Sequence, residues 1–247
     1  MLKRCILVVV LMLGWAGASV AADRITVAVA TNFLVPVQDI AAAFSAETGH
    51  DVALVHGSTG KLYAQIIAGA PFDIFLSADA ARPARLVDQN LALSETLKPY
   101  AIGRLALVHG ASTPPGLLDE ILSRPLRIAI ADPAIAPYGV AARDVLQRFR
   151  GTDWDRDLVY GESVGQAFAF VATGNADLGL VALSQALTSP AELFMLEIPS
   201  QLHAPIRQDA VLLNRAANTV AARAFLDYLD GPFAIQSLTN AGYDVPE

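Results

Sequence analysis

Short apolar runs that alternate with segments of helical spacing constrain the fold of this chain more than any other feature. Residues 25–30 form a continuous run rich in β-branched side chains, which is typical of a strand buried on both faces of a parallel sheet. From Val37 the apolar residues take helical spacing, and strands over 51–55 and 73–77 follow, with a second helix between them. The first third of the chain therefore predicts a β-α-β-α-β unit.

The same alternation recurs in the second half of the chain. Strands are expected over 127–130, near Val159 and over 178–181, and helices over 138–149 and 164–173. Two such units predict an α/β protein with two lobes. Open α/β sheets bind ligands at the carboxyl ends of their strands, so we expect the ligand cleft between the lobes.

The C-terminal segment is expected to pack back on the first lobe. Residues 207–213 have strand character, whereas residues 91–101 are interpreted as connecting structure. Residues 219–230 predict an amphipathic helix, and its inward side chains would be Val220, Phe225 and Leu229. Lobe I is then predicted to comprise residues 23–103 with 207–247, and lobe II residues 104–206.

Residues 1–22 have the composition of a secretory signal peptide. Lys3 and Arg4 precede an apolar stretch that is too short to span a bilayer, and small residues follow it at the expected cleavage site. The only cysteine, Cys5, lies in this segment, so the mature chain would have no thiol for a disulfide, a lipid anchor or a thiolate metal ligand. We therefore predict a soluble periplasmic protein.

The charge balance is acidic. The predicted signal peptide holds two of the 17 Lys and Arg residues and none of the 24 Asp and Glu residues, which leaves a mature net charge of −9 with the histidines neutral. Such a balance opposes nucleic-acid binding. It does not oppose binding of a small anion by local dipoles, because distant surface carboxylates are screened over about 8–10 Å.

Four turns that precede predicted helices offer N–H and O–H donors. The first N–H groups of a helix have no intrahelical partner, and the macrodipole adds about half a positive charge at that end. In the turn 57–60, Ser58 and Thr59 could form an ordinary N-cap, which is the common role of these residues. Similar turns occur at residues 30–34, 132–139 and 161–165. This repetition favours an anion site at which the four helix starts converge.

Two enzyme interpretations of the turn 57–60 lack their required partners. Ser58 and Lys61 match the S-x-x-K pattern of penicillin-interacting serine enzymes, but the chain contains no K-T-G and no S-D-N. Gly60 and Lys61 also match part of a P-loop, yet the positions that need Gly and Ser or Thr hold Val55 and Leu62. We predict a protein that is not an enzyme, and an exported serine hydrolase using Ser58 and Lys61 is the alternative from another class.

The histidines show no metal-ligand spacing, and each is expected at the surface. They are His50, His56, His109 and His203. His56 adjoins the turn 57–60 and is interpreted as a strand-end residue, with direct contact to the ligand as the less favoured alternative.

A series of short motifs runs through most of the mature chain. Residues 28–33 read AVATNF, residues 57–60 read GSTG and residues 65–79 read QIIAGAPFDIFLSAD. Further motifs follow at residues 131–133, 136–139, 162–164, 178–181, 231–232 and 242–243. Their occurrence together and in this order resembles the periplasmic molybdate-binding proteins of ABC transporters.

This resemblance implies a two-lobed type II periplasmic binding protein fold in which uncharged donors hold an oxyanion by its oxygens, with no cofactor and no direct metal ligand. The implied oxyanion-binding residues are Thr31, Asn32, Ser58 and Thr59, with the backbone N–H groups of Tyr138 and Val164. Asn32, expected in a loop, stands where many members have serine. Ala182 stands where many members have a tyrosine that donates its hydroxyl, and the pair Thr31-Asn32 is interpreted as supplying the substitute donor.

The type of donor limits the ligand. Molybdate or tungstate keeps its oxygens free of protons at neutral pH, so a pocket made only of donors suits it, whereas protonated phosphate needs an acceptor. Sulfate or another small oxyanion would satisfy the same donors, and the preference for molybdate and tungstate follows from the resemblance alone. Carboxylate ligands generally need a bidentate Arg, which none of the four turns contains. We expect a monomer that delivers its ligand to an ABC transporter permease.

Overall fold

The computed structural model describes residues 23–110 and 116–246, and in these residues it has ten strands in two sheets. The signal peptide predicted for residues 1–22 lies outside the described residues. In chain order the strands are β1 (Arg24–Ala30), β2 (Asp51–Gly57), β3 (Ile74–Leu76), β4 (Lys98–Gly103), β5 (Leu105–His109), β6 (Ile128–Ala131), β7 (Leu158–Gly161), β8 (Leu178–Ala182), β9 (Phe194–Glu197) and β10 (Ile206–Leu212).

Nine α-helices in the described residues connect and cover these strands. They are α1 (Leu34–Thr48), α2 (Thr59–Ile67), α3 (Ala81–Asp88), α4 (Leu118–Ser123), α5 (Pro137–Arg150), α6 (Val164–Ala172), α7 (Leu183–Thr188), α8 (Val220–Tyr228) and α9 (Pro232–Asn240). Among the described residues, none of the helices is long and apolar enough to cross a membrane.

The first sheet brings two of the predicted turns together. Its strand order is β2-β1-β3-β10-β4, and β10 runs antiparallel to both of its neighbours. Strand β1 runs parallel to β2 and β3, and Ala30 at its end lies opposite Gly57 at the end of β2. Because parallel strands end at the same edge of a sheet, the turns after Ala30 and Gly57 lie side by side.

The second sheet brings the other two turns together in the same way. Its strand order is β7-β6-β8-β5-β9, with β5 antiparallel to β8 and β9. Strand β6 runs parallel to β7, and Ala131 lies opposite Gly161 at their ends. The segments that lead to α5 and α6 therefore start from one sheet edge.

Each sheet has its own hydrophobic core. Phe44 of α1 and Phe225 of α8 pack edge to face, with ring centroids 5.2 Å apart, in the core of the first sheet. Val145 of α5 and Val171 of α6 are buried with β6 and β8 in the core of the second sheet. This arrangement confirms the predicted two-lobed α/β fold. The exact bounds of the lobes, residues 23–103 with 207–247 and residues 104–206, stay a prediction.

Several expectations about individual elements are wrong. Residues 98–101 were expected to connect elements, but they belong to the edge strand β4, in which Tyr100 and Ala101 are buried. The sheets are mixed, because β5 and β10 enter them antiparallel, although β1 runs parallel to both of its neighbours as predicted. Val220 is 71% exposed because it is the first residue of α8, whereas the predicted inward residues Phe225 and Leu229 are buried. No element was predicted where α4, α7, β9 and α9 occur.

Candidate functional site

A small cavity lies where the four turns meet. Its volume is about 10 Å³, whereas pockets for drug-sized molecules measure about 300–1,000 Å³. A cavity of this size holds a particle on the scale of one water molecule or one small ion. The lining residues include all six predicted site residues, Thr31, Asn32, Ser58, Thr59, Tyr138 and Val164, with Ala30, Gly57, Ala78, Ala136 and Pro137 between them.

Thr31 begins a short 3₁₀ helix, Thr31–Phe33, directly after β1. Its Oγ1 accepts a hydrogen bond of 3.4 Å from the backbone N–H of Gly165 in α6. A threonine hydroxyl has one hydrogen and two lone pairs. Since the hydroxyl acts only as an acceptor among the described residues, its hydrogen is available to a ligand in the cavity.

Asn32 is almost completely buried, with 2% of its surface exposed, whereas a residue in a surface loop is usually exposed. Its Nδ2 donates to Gln208 Oε1 at 2.8 Å and to Tyr243 Oη at 3.0 Å, so both amide hydrogens have partners within the protein. Its Oδ1 is buried and has no partner in the described part of the chain. The expectation that Asn32 lies in a loop is therefore wrong, because it is part of the 3₁₀ helix and of a buried network.

The second turn combines helix capping with free hydroxyl hydrogens. Ser58 is the N-cap of α2, and its Oγ accepts from the N–H of Lys61 at 3.4 Å. Thr59 Oγ1 accepts from the N–H of Ala78 at 3.1 Å. In the described residues neither hydroxyl donates to a protein acceptor. Capping and anion binding are thus compatible, because the first uses a lone pair and the second uses the hydrogen.

The second lobe contributes backbone N–H groups. Pro137 is the first residue of α5 and Tyr138 the second, while Val164 is the first residue of α6. At these positions an N–H has no intrahelical acceptor, and no acceptor for either group occurs among the described residues. Gly139 allows α5 to start so close to β6, because a Cβ at this position would lie 2.2 Å from the carbonyl oxygen of Ala131.

Within the described part of the chain, no ionised side chain lines the cavity, and Tyr138 is the only titratable residue in its lining. Burial raises the pKa of the Tyr138 hydroxyl well above its usual value. At neutral pH this hydroxyl is therefore protonated and uncharged. The positive potential in the cavity comes from helix N-termini and O–H and N–H dipoles, which stabilise an anion without a counter-charge.

Direct contacts close the two lobes over the cavity. The N–H of Gly60 donates to the carbonyl oxygen of Ile135 at 2.8 Å, and a Cβ on Gly60 would lie 2.9 Å from that oxygen. Ser184 Oγ donates to the carbonyl oxygen of Asn32 at 2.9 Å. At the rim, Lys61 Nζ forms an ion pair with Glu162 Oε2. A particle in the cavity is therefore enclosed by both lobes.

The ion pair of Lys61 also bears on the hydrolase alternative. A serine nucleophile activated by lysine requires the lysine amine next to the serine hydroxyl. Here the Lys61 amine pairs with Glu162, and Ser58 Oγ instead accepts from the Lys61 backbone N–H. Among the described residues, no group of three His, Cys, Asp or Glu residues could hold a metal ion.

The histidine predictions have mixed outcomes. His50 and His109 are each only 8% exposed, so the surface expectation is wrong for both. Their Nδ1 atoms are hydrogen-bonded within the protein, His50 to the N–H of Asp23 at 3.2 Å and His109 to the carbonyl oxygen of Gly110 at 2.9 Å. His56 is exposed, at the end of β2. It lines an open cleft outside the small cavity, together with Lys61 and Glu162.

Three residues next to the site were missed from the sequence. Gln208 and Tyr243 bind the amide of Asn32, and Ser184 binds its carbonyl oxygen. They lie 152 to 211 positions away in the chain, so no local spacing links them to the turn. Two signals were available: a Gln within the predicted strand 207–213, since a buried strand residue with a polar side chain needs a partner, and the motif at residues 242–243, which contains Tyr243. Ala182 is buried and does not line the cavity.

Comparisons of the sequence and of the structure with known proteins find the same kind of relative. Residues 25–244 match the family model described as bacterial extracellular solute-binding protein. The chain is 42% identical to the molybdate-binding protein ModA of Rhodobacter capsulatus, over 90% of this chain and 89% of that protein. It is 41% identical to ModA of Azotobacter vinelandii, over 96% of each. The solved structure of the Azotobacter vinelandii periplasmic molybdate-binding protein superposes with a TM-score of 0.82 at 39% identity, covering 90% of this chain and all of the other.

Proposed function

The chain belongs to the bacterial extracellular solute-binding protein family, and we propose that it binds molybdate in the periplasm and delivers it to an ABC transporter permease. The observation that supports this most directly is the convergence of the six predicted site residues on one small cavity. Three hydroxyl hydrogens and two helix N-terminal N–H groups there have no acceptor in the described protein. Relatives with 41–42% identity are molybdate-binding proteins.

The chemistry of these donors favours a fully deprotonated tetrahedral dianion. Each oxygen of molybdate accepts hydrogen bonds and offers none, which matches hydroxyl hydrogens and backbone N–H groups. Hydrogen bonds to a charged group contribute about 1.5–3 kcal/mol each, so five or six of them support tight binding without an arginine. Tungstate has the same charge and shape, and we propose that it binds at the same donors.

The remaining parts of the proposal concern location and assembly. A leader over residues 1–22 would export the chain to the periplasm, and the mature protein would act there as a monomer. A solute-binding protein that closes over its ligand presents both lobes to a permease at once, which is compatible with a single copy per transporter. We propose no enzymatic activity, because the Lys61 amine pairs with Glu162 and the Ser58 hydroxyl donates to no base among the described residues.

Calorimetric titration of the purified mature protein with molybdate, tungstate, sulfate and phosphate tests the proposal. We expect one site per chain for molybdate and tungstate and none for phosphate at neutral pH. Native mass spectrometry of the same samples should show one oxyanion per monomer. Tighter binding of sulfate than of molybdate would show that the proposed ligand is wrong. Covalent labelling of Ser58 by a fluorophosphonate would favour the alternative of a serine hydrolase.

A further inference from the structure

A buried polar network lies behind the anion cavity and contacts it through Asn32 and Tyr138. Gln208 is at its centre and is completely buried in β10. Its Oε1 lies 2.8 Å from Asn32 Nδ2 and 3.0 Å from Tyr100 Oη, and its Nε2 lies 3.3 Å from Tyr138 Oη. Neither Gln208 nor Tyr243 lines the cavity. The network thus joins strand β10 of the first lobe to Tyr138 of the second.

In the arrangement described, the hydrogen-bond donors of this network do not satisfy all of its acceptors. Tyr100 has a single hydroxyl hydrogen, yet its Oη lies within hydrogen-bond distance of two acceptors, Ser77 O at 3.1 Å and Gln208 Oε1. At the other end, Asn32 Oδ1 is buried without any donor. Tyr100 can donate to Ser77 O while Gln208 Oε1 accepts from Asn32 Nδ2. Asn32 Oδ1 is therefore the acceptor of this network that has no donor among the described residues, which is costly for a buried group.

A half-turn of both side-chain amides gives Asn32 Oδ1 a donor. Oδ1 would then lie where Nδ2 now contacts Tyr243 Oη, so the Tyr243 hydrogen would turn from the carbonyl oxygen of Asn32 to Oδ1, and Ser184 Oγ would remain the donor to that carbonyl oxygen. Gln208 Nε2 would then donate to Asn32 Oδ1 and to Tyr100 Oη, which frees the Tyr100 hydrogen for Ser77. Gln208 Oε1 would accept from the Tyr138 hydroxyl. Asn32 Nδ2 would take the present position of Oδ1, the atom that has no partner among the described residues. The two amides must turn together, because turning one alone places two acceptors or two donors against each other.

We propose that Gln208 is a positioning residue for the anion site: in the oxyanion-bound protein both amides stand in the turned arrangement, and Gln208 holds Asn32 with its Nδ2 toward the anion. This inference rests on the proposed function. Binding supplies the driving force, because a carbonyl oxygen at the cavity repels a dianion whereas an N–H₂ donates to it. Gly103 leaves room for this contact, since a Cβ there would lie 2.6 Å from Gln208 Nε2 and 2.2 Å from Tyr138 Oη.

Nuclear magnetic resonance of the parent protein saturated with molybdate tests the arrangement directly. In the turned arrangement the Gln208 amide protons should show nuclear Overhauser contacts to the ring of Tyr100, and replacing molybdate by tungstate should shift the amide resonances of Asn32. Contacts of the Gln208 amide protons to the Tyr138 ring without any to Tyr100 would overturn the proposal. This measurement needs no variant that could fail to fold.

A double-mutant cycle supplies an independent measurement. Gln208→Met should weaken molybdate binding by roughly three- to tenfold in the parent, but by less than about twofold in an Asn32→Ala background, because Gln208 then has no amide to hold. Equal losses in both backgrounds would show a general structural role and overturn the proposal. Thermal unfolding without oxyanion identifies a variant that is merely destabilised. If the parent protein itself binds no oxyanion, the proposed function fails. The cycle tests the role of Gln208 separately, because it compares the loss of affinity on Gln208→Met with and without the Asn32 amide.

Discussion

The two halves of the candidate site use different parts of the polypeptide. The first lobe contributes the side chains of Thr31, Asn32, Ser58 and Thr59, whereas the second lobe contributes the backbone N–H groups of Tyr138 and Val164. A side-chain donor depends on residue identity. A backbone donor depends on where a helix begins, and many residues at the same position would provide it.

This difference shows which half of the site can tolerate sequence change. In the second half, the constraint falls on residues that fix the helix start, such as Pro137 and Gly139, which themselves donate nothing to the cavity. In the first half, the constraint falls on the donors and on their partners. Substitutions that remove a donor without moving the backbone are therefore expected to discriminate between the two halves.

The largest effect is expected for Asn32→Ala in the first half. Losing a hydrogen bond to a charged group costs about 1.5–3 kcal/mol, so molybdate affinity should fall roughly tenfold to over a hundredfold. Gln208 and Tyr243 would also lose their partner, which should lower the free energy of unfolding without ligand by about 1–3 kcal/mol. Calorimetry and urea unfolding measure the two effects separately. Unchanged affinity would remove Asn32 from the anion site.

A comparable loss is expected for Val164→Pro in the second half. Proline is well tolerated as the first residue of a helix, and Ser163 before it has the extended backbone that proline requires. The substitution therefore removes the N–H and should keep α6, weakening molybdate binding by roughly ten- to a hundredfold. Val164→Ala keeps the N–H and measures the contribution of the side chain alone. If the two variants bind equally well, the backbone half of the site is assigned incorrectly.

A small effect is expected for Lys61→Ala at the junction of the two halves. The Lys61–Glu162 pair joins the lobes, but both side chains are largely exposed, and exposed ion pairs contribute about 0–1 kcal/mol. Molybdate affinity should therefore fall by no more than about fivefold, and less at high salt. Glu162→Gln is the matched variant from the other lobe. A hundredfold loss in the Lys61 variant would place the lysine amine in the binding site.

The smallest effect is expected from pH. Burial raises the pKa of Tyr138, Tyr100 and Tyr243. Their hydroxyls therefore stay protonated below the unfolded value of about 10, and the stability gained from this protonation is lost only as pH rises through the higher folded values. Molybdate affinity should be nearly constant from about pH 6 to 8. Titration at several pH values checks this, and a steep change of affinity within this range would contradict a lining without ionised side chains.

The sequence predicted the turns because their chemistry is local. A Ser three residues before a helical N–H, or a Pro at a helix start, can be recognised within one window, and parallel strands that end together bring such turns to one edge. All six predicted residues line the cavity for this reason. Their roles as donors to an anion stay a prediction.

Long-range partners were not accessible in the same way. The bond between Asn32 and Gln208 spans 176 positions, and it exists only because β10 inserts between β3 and β4. The strand β4 was missed for a related reason: at the sheet edge it needs no continuous apolar run, and Tyr100 points its hydroxyl at Ser77 and Gln208. The burial of His50 likewise depends on Asp23 and Phe44, which no spacing rule connects to it.

The short contact between Gly60 and Ile135 has a kinetic consequence. This backbone bond joins the two lobes beside the cavity, so it must break when the lobes separate to release an ion. The lifetime of the bound state is then set by the rate of opening, and substitutions at the contact change the dissociation rate more than the association rate. A transporter that pulls the lobes apart would accelerate dissociation of the ion, and it would not have to compete for any of the hydrogen-bond donors that hold the ion.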